Sequence, residues 1–229
     1  VKLAFLLYKY FPYGGMQRDF RRFVEEALML GHECRVYYID WQGEQLAGID
    51  LRRVPARAVS NHTRNERYYQ WVQQDLAADP VDAVVGFNKM PGLDIYYAAD
   101  SCYLDKALRE RNWLYRCGSR FRHFVAYEEA VFGANSDTEI LLISQTEQIK
   151  FEHRYQTDKS RLHMLPPGVS RDRAVVADTP PRRQRLRDEL GIGGKDFAML
   201  FIGSGFIKKG LDRAIIALAQ LQQERADVT

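Results

Sequence analysis

Residues 2–7, KLAFLL, form a nearly unbroken apolar run, the pattern of a strand buried on both faces of a parallel sheet. A polar turn follows, and then Phe20, Phe23, Val24, Ala27 and Leu28 recur at helical spacing, with Arg21, Arg22, Glu25 and Glu26 on the opposite face. Gly31 stands where the C′ glycine of that helix belongs. The alternation then repeats. Strands are predicted at 34–39, 49–54, 81–88, 94–100, 139–144 and 161–165, and helices at 65–78, near 103–132 and at 145–155. Strand and helix in turn predict an α/β fold of Rossmann-like type, a doubly wound parallel sheet.

The run PPGVSRDRAVVADTPPRR, 166–183, breaks this rhythm with Pro, Gly and charge, as interdomain linkers do. It divides the chain into a first domain over 1–170, a linker over 171–183 and the beginning of a second Rossmann-like domain over 184–229. In that second part DFAMLFIGSG, 196–205, reads as a strand and KKGLDRAIIALAQL, 208–221, as a helix. One strand and one helix cannot close a sheet, so Phe197, Met199 and Phe201 are expected to lack a strand to pair with.

At 46% apolar residues the chain can build a real core, and its net charge of +3 is too small to mark a nucleic-acid binder. Cys34, Cys102 and Cys117 form no C-x-x-C pair, which argues against a disulfide framework and fits a reducing cytoplasm. His32, His62, His123, His153 and His163 are scattered, and no metal is assigned. No stretch approaches the roughly 18 apolar residues of a spanning helix, so membrane contact is expected to be peripheral.

Two glycine turns carry the candidate chemistry. Gly14 and Gly15 open the first helix, where free N–H groups and the positive end of the helix dipole attract a phosphate or carboxylate, and a missing Cβ lets it come close. A turn at positive φ would also call for glycine. Gly203, Ser204 and Gly205 repeat the device ahead of Lys208 and Lys209, adding cations suited to a diphosphate. Neither turn is G-x-G-x-x-G or G-x-x-x-x-G-K-[ST], so hydride transfer and P-loop chemistry lose support.

Taken together, YKYFPYGGMQRDF (8–20), VVGFNKMPGLD (84–94), YYAADSCY (96–103), LPPG (165–168) and GSGFIKKGLDR (203–213) resemble the WaaG-type lipopolysaccharide core glucosyltransferases, in glycosyltransferase family 4 with a GT-B fold. The resemblance implies metal-independent, retaining transfer of glucose from UDP-glucose to a heptose of the lipopolysaccharide inner core, with no cofactor. It implies that Asp100 and Lys209 are catalytic, Asp100 beside Asp19 on the acceptor side and Lys209 neutralising the departing UDP. Gly14 and Gly15 give the diphosphate room, while Lys89, Arg173 and Lys208 join Asp19 in binding substrate. Plainer duties compete for the same residues. Asp19 reads as a dipole-favoured carboxylate in the first helical turn, Asp100 as a helix cap, Lys89 as a solvated loop lysine and Arg173 as a surface residue.

The chain departs from the family pattern at Ser204, where many members carry Arg, and the family's donor-binding Glu-x7-Glu element and returning final helix are expected beyond Thr229. The 229-residue chain alone is therefore expected to be inactive; the alternative is a non-catalytic module that binds membrane or acceptor. Between Lys106 and Phe124, six cations face Glu110 alone, interleaved with Trp113, Tyr115, Phe121 and Phe124. Trp113 with Arg116, Arg120 and Arg122 is the mixture that lies on an anionic membrane, here expected at the cytoplasmic face of the inner membrane. A basic-faced core helix with Cys117, Phe121, Phe124, Val125 and Phe132 as its apolar stripe accounts for the same residues. No RNP-like module accompanies the arginines, and no nucleic-acid partner is expected.

Overall fold

Leu3, Phe5 and Leu7 face one side of the first strand and Ala4 and Leu6 the other, and both sides are packed; the strand can only be interior. The computed structural model describes residues 1–166, 168, 179–194, 196–203, 206–207 and 209–224. Two compact units divide the chain, Val1–Pro167 and Gly168–Thr229.

The first unit runs β1 (Lys2–Leu6), β2 (Lys9–Tyr10), α1 (Gly15–Met29), β3 (Glu33–Tyr38), β4 (Asp40–Trp41), β5 (Asp50–Arg53), α2 (Asn61–Ala78), β6 (Ala83–Gly86) and β7 (Ile95–Ala98). It continues with α3 (Tyr103–Glu110), α4 (Trp113–Arg116), α5 (Ser119–Phe132), β8 (Glu139–Leu142), α6 (Gln145–Tyr155) and β9 (Leu162–Met164). The large sheet has the order β5-β3-β1-β6-β7-β8-β9 and every pairing in it is parallel. From β1 the chain moves outward to β3 and β5, then crosses to β6 and moves the other way. The direction of winding therefore reverses between β1 and β6, which is where open α/β sheets bind ligands at their carboxyl ends.

One sheet face packs α2, α5 and α6 through Tyr68, Val72, Val131, Phe132 and Phe151, with the rings of Phe132 and Phe151 stacked 3.6 Å apart. The other face packs α1 through Phe20, Val24 and Ala27. Beside α1 this face stays open as an apolar groove of about 490 Å³, floored by Val85, Ile95 and Leu141. Helix α1 ends as its glycine predicts: Gly31 has φ +79°, and the N–H groups of Gly31 and His32 donate to the carbonyls of Leu28 and Ala27 at 2.9 and 3.0 Å. Helix α2 starts at Asn61, ahead of the predicted 65, because Ser60 Oγ accepts the Thr63 N–H at 3.2 Å and caps it there.

At the amino edge of the sheet, Arg35 is buried and donates to Asp50 at 3.0 Å and to Asp79, while Arg52 bridges Asp50, Asp75 and Asp79. Lys2 and Arg52 hold the Asp79 carboxyl well below the usual range. The strongest knot lies at the opposite edge. Glu128, fully buried on α5, accepts hydrogen bonds from Lys89 Nζ, from the N–H groups of Tyr103 and Leu104 at 2.8 and 2.9 Å, and from Tyr155 Oη at 2.6 Å. It thereby caps α3 from another helix.

In the second unit the described residues form α7 (Thr179–Glu189) and α8 (Leu211–Glu224). Helix α7 starts inside the predicted linker. Arg187 on α7 donates to the carbonyl of Asp196 at 2.8 Å and also to that of Gly193, which fixes the turn after the helix. The strand predicted at 196–205 is not formed among its described residues: Phe197 is 76% and Ile202 82% exposed, with no neighbouring strand to take their backbone groups.

Truncating Glu128 removes the acceptor of five contacts, the Cys102 thiol included, and takes from the part-buried Lys89 ammonium its ion-pair partner, leaving it the Ser101 carbonyl. Glu128→Ala should cost about 3–5 kcal/mol in urea denaturation, with Glu128→Gln costing less. A loss under about 1 kcal/mol for the alanine variant would show the knot to be peripheral.

Candidate functional site

The loops that follow β1 and β6 meet at the switch point. Asn88 Oδ1 accepts the Tyr8 N–H at 2.8 Å, joining the two crossings by one hydrogen bond. Strands β2 and β4 form a small second sheet that carries the loop toward α1, and Tyr10 stacks on Trp41 at 4.0 Å.

Gly14 and Gly15 come next, and each is glycine for its own reason. Neither has positive φ; Gly14, the N-cap of α1, sits at φ −82°, ψ 142°. At Gly14 an added Cβ would collide with the Gln17 side chain and stand 2.6 Å from Phe11 Cε2, so a larger residue requires both side chains to shift. At Gly15 nothing lies within 4 Å of the Cβ position. The fold does not require glycine there. No side chain caps α1 and its first turn holds no acidic residue, so its own helix supplies no negative charge to the N–H groups at this end.

Asp19 lies in the second turn of α1 instead of the first. Its carboxylate accepts from Tyr97 Oη at 2.8 Å and pairs with Arg22 at 3.8 Å. Burial and the Asp19 carboxylate both raise the Tyr97 hydroxyl above its ordinary pKa, so it stays a donor. Sequence reasoning missed Tyr97, whose signal was only an aromatic at the end of a strand.

Lys89 is no solvated loop lysine. Its ammonium turns inward to Glu128, lies 5.1 Å from the centre of the Phe151 ring and donates to the carbonyl of Ser101 at 2.9 Å. It grips the turn that carries Asp100. The Glu147 carboxylate accepts the Cys102 N–H at 2.8 Å and Glu128 accepts that of Tyr103, so residues 101–103 are held at three successive backbone groups. Asp100 rides on this fixed turn, exposed, with no hydrogen bond or ion pair among the described residues. A carboxylate left free on a rigid support is the arrangement expected of a group that meets a ligand. The nearby Cys102 thiol is pushed up to about 12 by burial and by Glu128, which removes it as a nucleophile at neutral pH.

Lys209 belongs to the second unit, where its side chain folds over Gly203: a Cβ there would meet Lys209 Cδ at 2.8 Å and Nζ at 3.0 Å. Arg173 and Lys208 lie outside the described residues, as do Ser204 and Gly205. Among the described residues no group of three His, Cys, Asp or Glu side chains is placed to hold a metal ion.

The basic aromatic segment is three helices and not one. Gly118 separates α4 from α5, and Cys117 is exposed, so the predicted apolar stripe loses its first member. Phe121 and Phe124 pack against Tyr103, whereas Trp113 and Leu114 are 68% and 61% exposed on α4. Arg120 lies over the Phe124 ring at 5.7 Å, and Arg116 donates to the carbonyl of Arg111 at 3.1 Å. Arg122 is exposed. No described helix is long and apolar enough to cross a membrane.

No family model matches the chain. It is 44% identical over 221 residues, 96% of its length, to the lipopolysaccharide glucosyltransferase WaaG of Escherichia coli (strain K12), and it spans 59% of that relative. A crystal structure of WaaG, described as a glycosyltransferase involved in lipopolysaccharide biosynthesis, superposes with a TM-score of 0.88 at 44% identity over 95% of this chain and 59% of the other. A glycosyltransferase from Rickettsia africae ESF-5 shares the fold at a TM-score of 0.50 and 10% identity, over 85% of this chain and 50% of its own. The chain is thus WaaG-like along nearly its whole length, with the GT-B type of α/β architecture in its first unit.

The two glycines should separate in stability. Gly15→Ala should leave the stability in thermal denaturation unchanged or raise it by about 0.5 kcal/mol, since the added methyl meets nothing and restricts the unfolded chain. Gly14→Ala should cost about 1–2 kcal/mol through the clash with Phe11 and the loss of a favourable N-cap residue. Equal effects at both positions would mean that the crowding at Gly14 is easily relieved.

Proposed function

We propose that this WaaG-like chain carries the acceptor-side domain and the beginning of the donor-side domain of a glycosyltransferase of lipopolysaccharide core synthesis. The observation that carries the reading is the 44% identity over 221 residues, 96% of the chain, to a lipopolysaccharide glucosyltransferase. In this reading glucose moves from UDP-glucose to a heptose of the inner core with retention. The bond between the anomeric carbon and the diphosphate breaks, its electron pair leaving with UDP, while the acceptor oxygen bonds to that carbon on the same face and its hydroxyl proton passes to the departing diphosphate.

The residues take roles that follow from their surroundings. Gly15 leaves open space at the uncapped start of α1, where a diphosphate finds backbone donors and a favourable dipole. Asp100, free and rigidly mounted, receives the acceptor hydroxyl. Lys209 neutralises the leaving UDP, together with Lys208 and Arg173. Lys89 becomes a positioning residue, because its ammonium already serves Glu128 and Ser101. Catalysis then consists of orientation and electrostatic stabilisation of the leaving group. No metal or other cofactor takes part in this scheme.

We also propose peripheral contact with an anionic membrane at its cytoplasmic face, through Trp113 and Leu114 as apolar anchors and Arg116, Arg120 and Arg122 as cations. The observation favouring this is the exposure of Trp113 and Leu114 side by side on a short helix with arginines beside them.

Two measurements test these proposals. In a protein of WaaG length, Gly15→Leu should reduce glucose transfer at least ~100-fold without lowering the thermal midpoint, since the leucine fills the space meant for the diphosphate. Near-normal turnover by a folded variant would refute the assignment of this turn.

Neutralising Arg116, Arg120 and Arg122 together should weaken sedimentation with vesicles rich in anionic lipid, at about 1 kcal/mol per cation, and make the remainder less sensitive to salt. Unchanged sedimentation of the triple variant would leave α4 and α5 as a basic-faced core region.

A further inference from the structure

The loop before α1 leaves one large side chain without a structural duty. Tyr13 is 81% exposed. Its ring meets that of Phe11 at 5.1 Å between centroids, inclined by 39°, and its hydroxyl stands 3.5 Å from Gln42 Oε1, the outer limit of a hydrogen bond. An exposed aromatic on a mobile loop would mean little. This loop is braced from several sides. Lys9 and Tyr10 pair with Asp40 and Trp41, Tyr10 stacks on Trp41, and Gln17 Nε2 donates to the carbonyl of Lys9 at 3.2 Å. At Gly43, whose φ of +92° favours glycine, an added Cβ would come within 3.5 Å of the Pro12 ring.

Three features therefore converge on one small area. A bare aromatic face is held on a loop braced on both sides, the exposed amide of Gln42 lies beside it, and two residues further on Gly15 faces open space at an uncapped helix start. A pyranose ring has the complementary chemistry, with a face of C–H groups to lie on an aromatic and a rim of hydroxyls for an amide. Small-molecule sites are built from this combination of flat apolar surface and a few placed polar groups. Bracing the platform in advance reduces the entropy lost on binding.

We propose that Tyr13 is a stacking platform for a pyranose and that Gln42 holds that sugar's hydroxyls, making the two a positioning pair at the mouth of the site. The inference rests on the glycosyltransferase reading and adds to it the side chains that set which way a sugar ring lies. The ring of Tyr13 does the work and its hydroxyl does not. The pyranose is either that of the acceptor or the glucose of the donor, two sources with the same C–H face.

The test is a set of titrations followed by saturation-transfer NMR on the 229-residue chain, with a methyl heptoside, UDP-glucose and UDP as separate probes. Tyr13→Ala should weaken binding of the heptoside or of UDP-glucose by ~5–10-fold, Tyr13→Phe and Tyr13→Trp should stay within about twofold of the parent, and Gln42→Ala should weaken the same probe. Weakening of the heptoside places the acceptor on the platform, and weakening of UDP-glucose without UDP places the donor sugar there. Equal weakening of UDP and UDP-glucose would mean that the ring holds the base, which overturns the inference. Unaltered binding of every probe by Tyr13→Ala would overturn it as well, with the glycosyltransferase reading intact. A parent chain that binds none of the three would overturn the inference, while the glycosyltransferase reading stands or falls with the Gly15→Leu measurement. Because Tyr13 is exposed, its variants should keep the parent's thermal midpoint; a drop restored by neither Phe nor Trp would make the residue structural and end the proposal.

Discussion

A carboxylate with no exposed surface organises the carboxyl edge of the first unit. Burying Glu128 is costly unless its charge is compensated, and the compensation comes from four places in the chain: Lys89 after β6, the N–H groups that open α3, Tyr155 at the end of α6 and the Cys102 thiol at 3.6 Å. None of these groups can move away without leaving the charge short of a partner. The segment 101–103 is consequently fixed, and with it the position of Asp100. The knot explains how a turn at the edge of a sheet holds a free carboxylate in place without touching it.

Around this knot the polar residues divide by what they owe to the fold. Lys89 is spent on Glu128, and Asp19 is shared between Tyr97 and Arg22, so each is tuned by the protein before any ligand arrives. Gly14 is crowded by Phe11 and Gln17. Gly15 meets nothing at its Cβ position, the Asp100 carboxylate has no hydrogen bond or ion pair among the described residues, and Tyr13 keeps most of its ring exposed. Natural sequences depart from structural economy mostly where a ligand supplies the missing partner. Tyr13 and Asp100 lie on loops and Gly15 at the start of α1, all beyond the carboxyl ends of strands near the point where the winding of the sheet reverses.

Much of the architecture was legible because it follows from period and punctuation. The two faces of β1, the apolar stripe of α1 and the glycine that ends it are local statements, and the structure repeats them nearly residue for residue. What escaped the sequence depends on distant partners. Lys89 looked like any loop lysine because Glu128 lies 39 positions away, and Tyr97 gave no hint of its bond to Asp19, 78 positions away. The β2–β4 ribbon, only two residues per strand, is too short for any periodicity to show. Gly14 and Gly15 were recognised as meaningful, but their different reasons are visible only once Phe11 and Gln17 have been placed.

The second unit shows the same lesson from the other side. DFAMLFIG has the composition of a buried strand, yet from 196 to 203 no strand is formed and its large apolar side chains lie exposed, as do Ile215 and Ile216 on α8. Strand propensity expresses how well a side chain fits a pleated, half-buried surface, and that surface must come from neighbouring strands. In the first unit β1 has β3 on one side and β6 on the other, and a comparable apolar run is fully ordered. Helices α7 and α8 form in the second unit with no strand among its described residues, because their backbone hydrogen bonds are internal. What distinguishes the two apolar runs is therefore the presence of adjacent backbone, a property that neither run encodes by itself.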